Sequence, residues 1–272
     1  MQYVAKKSIN DHGNDQIRSR GGASMQSERQ ERILEILEER KFVTAQRLSE
    51  ELFVSLPTVR RDLSELARQG LIVRNRGGAR RLTDGHEHIP FAFRVGFKTQ
   101  EKKQLSQAAA ALVRDGDTIF LDESTTFFPI VDFLCEYKQI TVVTNSIPLS
   151  VLLKKAQIRA YCLGGDLEAE DNAFYGSYTQ LMAEYFNFDL MLFSSTGVNA
   201  AGEIVDHSLD ATMLRRVIMR RSKRCVFVCD GEKFFEESRF SCAPITEMDA
   251  VITNREPPTA WNLSPEKLIQ VR

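Results

Sequence analysis

Polar or glycine-containing turns follow five apolar segments in the second part of the chain, and their side chains suit the binding of a small phosphorylated or hydroxylated molecule. Hydroxyl and backbone N–H groups in such turns can hold a phosphate, and a nearby lysine adds the opposite charge. Carboxylate and amide groups can hydrogen-bond to sugar hydroxyls. The candidate ligand contacts are Asp122, Ser124, Thr125, Thr126, Asn145, Gly165, Asp206, Asp230 and Lys233.

An arginine-rich segment suits contact with a polyanion. Residues 55–82 carry seven arginines and two acidic side chains, a net charge of +5. Residues 83–272 carry twenty basic and twenty-six acidic side chains, a net charge of −6. A short basic segment on an acidic body is typical of a protein that meets nucleic acid with one face. The candidate DNA contacts are Ser55, Thr58 and Arg60 for base edges, and Arg61, Arg74, Arg76, Arg80 and Arg81 for phosphates.

Three predicted helices and a hairpin position these arginines. Apolar residues at helical spacing begin after Ser27, Thr44 can cap a second helix, and Ser55 can cap a third. The run after Gly70, LIVRNRGGARRL, predicts two short strands joined at a Gly-Gly turn. This order is typical of a winged helix-turn-helix, with the helix that follows Ser55 as the recognition helix.

The ligand-contact turns lie in a longer region where apolar strands alternate with helices. Such alternation predicts a mostly parallel sheet covered on both faces, with ligands at the carboxyl ends of its strands. The predicted fold class is therefore α/β: an N-terminal winged helix-turn-helix domain followed by a larger α/β sensor domain with a mostly parallel sheet. The predicted organisation is a disordered tail at 1–26, the DNA-binding domain at 27–82, a linker at 83–98 and an effector-binding domain at 99–272.

Composition argues against several other classes of protein. No apolar run of eighteen residues is present, and the first residues lack the apolar core of a secretory signal, so we expect a cytoplasmic protein without membrane contact. The five cysteines form no CxxC pair and no Cys/His cluster with zinc spacing, so we expect reduced core cysteines, no metal and no cofactor. They are Cys135, Cys162, Cys225, Cys229 and Cys242.

The order of motifs over residues 27–254 resembles the DeoR family of bacterial repressors. The DNA-binding part carries SLPTVRRDLSELARQGLIVRNRGGA, and LDESTT, TVVTNS, LGGDL, TGVNAAG and CDGEKF follow in the family's order. Each fragment is weak alone, whereas the ordered combination is specific. The resemblance implies an N-terminal operator-binding domain and a C-terminal domain similar to ribose-phosphate isomerases. That second domain would bind a phosphorylated sugar or related metabolite and thereby change DNA affinity.

Three positions depart from the family pattern. Ser124 stands where L-D-x-G-T-T has glycine, and its Cβ narrows the approach of a phosphate to the backbone. Glu232 adds an acid beside Lys233 where the family has D-S-S-K. A family glutamate is missing near Asp210 and Ala211, ahead of the basic pair Arg215-Arg216. These departures leave the fold prediction intact and bear on the class of ligand.

We therefore predict a DNA-binding repressor of carbohydrate metabolism genes, modulated by a small-molecule effector of the sugar-phosphate type. A single winged domain offers a small interface with double-stranded operator DNA, so we expect a homo-oligomer, either a dimer or a tetramer. We expect no enzyme, because no ordered acid/base group accompanies the carboxylates. The alternatives are a sugar-phosphate isomerase or transferase with an accessory DNA-binding domain, and a sensor domain that has lost its ligand and serves only oligomerisation.

The site residues themselves have simpler alternative roles. Thr125, Thr126 and Asn145 could be ordinary helix caps or turn residues. Lys233 could be a solvated surface lysine, and the aspartates at strand ends could cap the next turn. The two classes of role differ in whether the side chains converge on one place in the folded chain.

Overall fold

The chain divides into two compact units, Met1–Gly85 and His86–Arg272, and each is described by itself. The predicted tail and Arg76 lie outside the residues that the computed structural model describes. No helix in the described ranges is both long and apolar enough to cross a membrane. The described residues are 28–40, 42–68, 71–75, 78–81, 91–96, 98–169 and 171–271.

The smaller unit contains the predicted three helices and hairpin. The Thr44 hydroxyl accepts a hydrogen bond from the Arg47 N–H at 3.1 Å, and the Ser55 hydroxyl accepts one from the Thr58 N–H at 3.4 Å, so both predicted caps are confirmed. The elements are α1 (28–39), β1 (Val43–Thr44), α2 (Ala45–Glu51), α3 (Leu56–Arg68), β2 (Ile72–Asn75) and β3 (Gly78–Arg81).

A shared core holds these elements together. Val59, Leu63 and Leu66, the predicted stripe of α3, are buried against apolar side chains of α1 and α2. The Asp62 carboxylate is also buried on α3 and pairs with Arg29 of α1. Because the core occupies one face of α3, its other face is left for Arg60 and its neighbours.

The wing is a three-stranded sheet in the order β1-β3-β2, and β1 was not predicted. Two residues give no periodic signal, so a strand this short is decided by pairing with distant residues. A side chain at Gly78 would place its Cβ 2.1 Å from the Val43 carbonyl oxygen, which explains the glycine at this close approach.

The larger unit is built on a parallel sheet, as predicted, and this sheet has seven strands. Helices cover both faces, and two separate apolar clusters lie against the two sides of the strands. The elements are α4 (Phe91–Gly96), α5 (Thr99–Ala110), β4 (Thr118–Leu121), α6 (Ile130–Leu134), β5 (Thr141–Thr144), α7 (Ile147–Lys155), β6 (Ala160–Cys162), β7 (Asp166–Glu168), β8 (Ala173–Tyr175), α8 (Gly176–Glu184), β9 (Leu190–Phe193), β10 (Gly197–Val198), β11 (Glu203–Asp206), α9 (Leu209–Arg220), β12 (Cys225–Cys229), β13 (Phe240–Pro244), β14 (Ala250–Thr253) and β15 (Leu268–Gln270).

Strand order places a topological switch point at the centre of the sheet. The order is β15-β14-β12-β9-β4-β5-β6, so the chain first builds outward from β4 through β5 and β6. It then returns to the other side of β4 with β9 and builds outward in the opposite direction. Ligands of open α/β sheets bind outside the carboxyl ends of the strands at such a point.

Several features differ from the sequence predictions. Helix α4 lies within the predicted linker 83–98, and its six residues are too few for a periodic signal. We expected β14 to be the last strand of the sheet, but β15 pairs with it as a further parallel edge strand. The hairpin β7-β8 and the antiparallel sheet β10-β11-β13 were also missed, because their strands are short.

The prediction of core cysteines is wrong for two of the five. Cys229 and Cys242 are buried, but Cys135 and Cys162 are exposed. Cys135 ends the short helix α6, and Cys162 lies on the edge strand β6, so neither position is covered by another layer.

Candidate DNA-binding surface and ligand site

Helix α3 presents a basic face to solvent. Arg60 and Arg61 are exposed, and neither forms an ion pair with another residue that the structure describes. Ser55 and Thr58 lie at the start of the same helix, where their hydroxyls are 2.8 Å apart. The structure thus brings the predicted base-contact residues together at the N-terminal end of α3.

The wing adds to this face. The Arg74 guanidinium on β2 donates a hydrogen bond to the Ser64 hydroxyl, one helical turn beyond Arg60. Arg80 lies on the adjacent strand β3, and Arg76 stands outside the described residues. On α3 itself, Arg68 is paired with Glu65 at 2.6 Å. Arg60 and Arg61 are therefore the exposed arginines of α3 that can contact a polyanion.

A buried ionic cluster organises the carboxyl edge of the large sheet. Arg215 of α9 is 4% exposed, and its guanidinium contacts three carboxylates. Nη1 lies 2.7 Å from Asp206 Oδ2, while Nη2 lies 2.7 Å from Glu123 Oε1 and 3.3 Å from Asp122 Oδ2. These contacts tie α9 to β11 and to the turn after β4, at the switch point. Arg215, noted in the sequence only as part of a basic pair, is therefore a central residue of the site.

The two predicted ligand contacts Asp122 and Asp206 belong to this cluster. The Asp122 carboxylate also accepts hydrogen bonds from the Ser124 N–H at 3.0 Å and the Ser194 N–H at 2.9 Å. Burial and the neighbouring Glu123 raise the pKa of Asp122 to about 7. For Asp206, burial acts in the raising direction, but Arg215 and His207 hold its pKa below the usual value. Both aspartates thus fix the turns around the switch point through bonds within the protein.

Two lysines at the carboxyl edge of the sheet have no carboxylate partner among the residues that the structure describes. The Lys102 ammonium donates to Thr125 Oγ1 at 2.9 Å and to the Arg94 carbonyl oxygen. The Lys233 ammonium donates to the Ser195 carbonyl oxygen at 2.8 Å. Within the described ranges, neither ammonium lies within ion-pair distance of a carboxylate. Two half-buried cations that contact only neutral groups favour an anion at this place.

The environment of Lys102 supports this interpretation. Burial, followed by the charges of Lys233 and Arg94, lowers the pKa of Lys102 to about 7. Burial also lowers the pKa of Lys233. An anion between these groups would offset the repulsion and restore the ammonium form, because opposite charge favours the charged state.

Asp230, predicted to contact a ligand, is paired with a lysine of the protein. Its carboxylate lies 2.6 Å from the Lys98 ammonium, which also contacts Glu232 at 2.5 Å. Although burial opposes it, Lys98 lowers the pKa of Asp230. The Asp230 carboxylate also accepts from the Glu232 N–H at 3.1 Å and so caps the turn that carries Lys233. Glu232, which departs from the family pattern, is thereby held on Lys98.

The remaining predicted contacts fall into two groups. The Asn145 amide donates to Glu123 at 3.3 Å and to the Phe174 carbonyl at 3.2 Å, while its Oδ1 is buried with no hydrogen-bond partner. Gly165 has φ +149°, and a Cβ there would lie 2.0 Å from Thr179 Oγ1. Gly165 thus permits the close approach of helix α8, whereas Asn145 lies at the switch point.

The turn after β4 is shaped by its own hydroxyls. The Ser124 hydroxyl accepts from the Thr126 N–H at 3.3 Å and begins a short 3-10 turn, Thr125–Phe127. The Thr126 carbonyl accepts a hydrogen bond from Ser106 of α5. These contacts leave Thr125 directed at Lys102, in agreement with the alternative that part of this turn is self-capping.

Sequence reasoning missed Arg94, Lys102 and Glu123. Arg94 fell in the predicted linker, and Lys102 sits in an alanine-rich helix where a lysine is usually solvated. One signal was available: a helix that precedes a parallel strand runs antiparallel to it, so its first turns lie at the carboxyl edge of the sheet. Lys102, in the first turns of α5, follows that rule. No group of three or more potential metal ligands was found in the part of the chain that the structure describes.

Comparison with family models matches both units. The DeoR-like helix-turn-helix domain matches residues 29–84, and the DeoR C terminal sensor domain matches residues 98–255. The latter range contains all nine residues predicted to contact a ligand.

Three curated relatives resemble the chain over most of its length. The HTH-type transcriptional repressor GlcR of Bacillus subtilis (strain 168) is 34% identical over 87% of this chain and 91% of the relative. The lactose phosphotransferase system repressor of Staphylococcus aureus (strain N315) is 31% identical over 84% and 92%. The glycerol-3-phosphate regulon repressor of Escherichia coli (strain K12) is 29% identical over 86% and 93%.

Among solved structures, ribose 5-phosphate isomerase A from Methanocaldococcus jannaschii matches with a TM-score of 0.37 and 14% identity. The match covers 50% of this chain and 54% of the isomerase chain. The likeness thus extends over about half of each protein.

Replacement of Arg215 by methionine is expected to destabilise the larger unit by about 3–5 kcal/mol at neutral pH, because it leaves buried carboxylates without a counter-ion. Urea unfolding of the full chain measures the loss, and the exposed Arg220→Met on the same helix is the matched control. The deficit should shrink from about pH 7 to about pH 5, since the unpaired carboxylates then take up protons. Equal stability of the two variants would show that the cluster does not hold the sheet edge together.

Proposed function

Because the chain belongs to the DeoR family of transcriptional regulators, we propose that it represses sugar metabolism genes through binding of double-stranded operator DNA and releases that DNA in response to a phosphorylated sugar or related metabolite. The relatives at this similarity are transcriptional repressors, so the prediction of a regulator and not an enzyme is confirmed. The observation that carries the effector part is the pair of ammonium groups of Lys102 and Lys233, which act on each other electrostatically and have no carboxylate partner among the described residues. A protein that acts on bacterial operators works in the cytoplasm, and we propose that location.

The DNA contacts that we propose come from α3 and the wing. Ser55, Thr58 and Arg60 lie at the helix start, which is the part of a recognition helix that reaches base edges in the major groove. The other arginines would bind phosphates and so fix the register of the protein on the duplex. Those phosphate contacts are Arg61, Arg74, Arg76 and Arg80.

The effector contacts that we propose differ in how directly they act. Thr125, Lys233 and Asn145 would contact the ligand, since each has a polar group at the switch point that the protein uses only in part. The others would hold the turns in place, through the ionic cluster, the self-capped turn after β4, the cap of the Lys233 turn and the close approach of α8. These are Asp122, Ser124, Thr126, Gly165, Asp206 and Asp230.

Ligand binding would act on DNA affinity through a change in conformational population. An anion bound by Lys233 stabilises whichever arrangement of the larger unit holds it best, and the coupling free energy equals the difference in its affinity for the two arrangements. Repression falls if the favoured arrangement no longer places two DNA-binding units on their half-sites.

A homo-oligomer is part of this proposal, and one face of the larger unit suits it. Tyr161, on the edge strand β6, is 43% exposed, and its ring lies 5.4 Å from that of Phe186, which follows α8. Several large apolar side chains exposed on neighbouring elements favour an interaction site, and self-complementary patches join homo-dimers. We assign the surface to a second copy of the chain, because paired winged domains need a paired sensor unit. Its other members are Tyr178, Leu181 and Met182 of α8, and Tyr185, which follows that helix.

Substitution of both Arg60 and Arg61 by alanine is expected to weaken operator binding about tenfold or more, because base-edge and phosphate contacts are lost together. The probe is a DNA duplex selected from a random pool by the wild-type protein, and the assay is fluorescence anisotropy at several salt concentrations. The slope of the logarithm of the binding constant against the logarithm of salt concentration should also become shallower by about one or two. Arg32→Ala, which removes an exposed arginine of α1 paired with Glu35, is the control and should bind normally. Unchanged affinity of the double variant would remove α3 from the DNA interface.

Substitution of Lys233 by methionine is expected to weaken effector binding about tenfold or more, since a charge-assisted hydrogen bond to the ligand is lost. A panel of sugar phosphates, free sugars and sugar acids is screened by thermal shift, because a ligand of the folded state raises its unfolding temperature. DNA binding by the unliganded variant should remain at the wild-type level. The exposed Lys155→Met of α7 is the matched control. If no compound shifts the wild-type protein, the proposed effector class is wrong, and the ligand is either not a phosphate or not there at all.

Substitution of Leu181 by glutamate is expected to dissociate the oligomer, because a charge is placed in the centre of the α8 surface. Sedimentation velocity should show a wild-type oligomer and a variant monomer at the same concentration. Val151→Glu, at an exposed apolar position of α7, is the control and should stay associated. Equal sedimentation of wild type and Leu181→Glu would place the interface elsewhere.

A further inference from the structure

Arg94 of helix α4 reaches the ligand site from the segment that follows the DNA-binding unit in sequence. Its carbonyl oxygen accepts hydrogen bonds from the Lys102 ammonium and, at 3.3 Å, from the Thr125 hydroxyl. Its guanidinium pairs with Asp171, which lies just before β8. The backbone and the side chain of Arg94 therefore both contact groups around the carboxyl edge of the sheet.

The guanidinium is only partly used by the protein. The Arg94 side chain is 23% exposed, and its Nε is buried with no hydrogen-bond partner. Its positive charge acts on both Lys102 and Lys233 and contributes to the lowered pKa of each, so the three cations lie in one another's field. Asp171 contacts the Arg94 guanidinium, whereas neither Lys102 nor Lys233 contacts a carboxylate of the residues that the structure describes.

We propose that Arg94 is an effector-binding residue, which holds an anionic group of the ligand jointly with Lys102 and Lys233 and so makes the position of α4 depend on occupancy of the site. This inference rests on the proposed sensor function and extends it to a segment predicted to be only a linker. A guanidinium presents parallel N–H donors that match two oxygens of a phosphate, which neither lysine can do.

Competition for the same donors explains how the ligand would act on α4. A phosphate that engages Lys102 takes up N–H donors that otherwise hold the Arg94 carbonyl, and a phosphate that engages the guanidinium competes with Asp171. Helix α4 has six residues, so its position depends on such tertiary contacts and not on its own helical stability. Helix α4 begins ten residues after the last residue of β3. Among the described elements of the larger unit, it is the first to follow the wing in sequence.

Asp171 provides the comparison that separates ligand binding from a structural role. If Arg94 only anchors α4 to Asp171, then Arg94→Gln and Asp171→Asn break the same ion pair and have the same effect. If Arg94 binds the ligand, Asp171→Asn frees the guanidinium and leaves the affinity unchanged or higher, whereas Arg94→Gln lowers it.

Titration calorimetry of the full chain tests the proposal, with inorganic phosphate and the sugar phosphate that gives the largest thermal shift as probes. We expect Arg94→Gln to weaken binding of the sugar phosphate about tenfold or more, Arg94→Lys to give an intermediate loss, and Asp171→Asn to bind at least as tightly as wild type. With saturating sugar phosphate, Arg94→Gln should also stay on operator DNA that the wild type leaves. Arg94→Lys keeps the positive charge, so it serves as a second test if the Arg94→Gln variant does not fold.

Three results would overturn the assignment in distinguishable ways. Wild-type affinity in Arg94→Gln, with affinity lost in Lys233→Met, would remove Arg94 alone and leave the sensor function intact. Equal losses in Arg94→Gln and Asp171→Asn would reduce Arg94 to a structural anchor. No binding of any phosphate by the wild-type chain would overturn both the Arg94 assignment and the proposed effector class.

Discussion

The buried ion cluster of Arg215 is the interaction on which the carboxyl edge of the large sheet depends. One guanidinium faces three carboxylates, from the turn after β4 and from β11, and none of these groups has solvent as an alternative partner. Removal of a buried charge from such a group costs several kcal/mol, because its partners stay desolvated. The cluster therefore fixes the geometry of the switch point before any ligand arrives.

Around this fixed centre, charge is distributed unequally. Asp122 and Asp206 are satisfied by the protein, and Asp230 is satisfied by Lys98. Lys102 and Lys233 are not matched in this way, since their described partners are a hydroxyl and carbonyl oxygens. In the proposed function, these cationic groups select an anionic effector, whereas the negative net charge of the larger unit disfavours polyanions such as DNA.

The same separation of roles applies to the two units. In the smaller unit, the apolar stripe of α3 forms the core and its exposed arginines are left for DNA. In the larger unit, the strands form the core and the residues after them form the proposed ligand site. Function in both units therefore lies on the side of an element that packing leaves unused, and a ligand can change that side without unfolding the core.

The sequence alone determined what depends on local pattern. Helical spacing, the caps at Thr44 and Ser55 and the alternation of strands with helices predicted both units and the parallel sheet that carries the candidate ligand contacts at its carboxyl edge. Tertiary structure decided which polar groups at that edge are already paired, because Arg215 lies more than ninety residues from Asp122 and Glu123. It also brought Arg94 and Lys102 together with Thr125 at this edge. Such contacts form only when segments distant in sequence come together in the folded chain. A periodic sequence pattern does not encode which segments will meet.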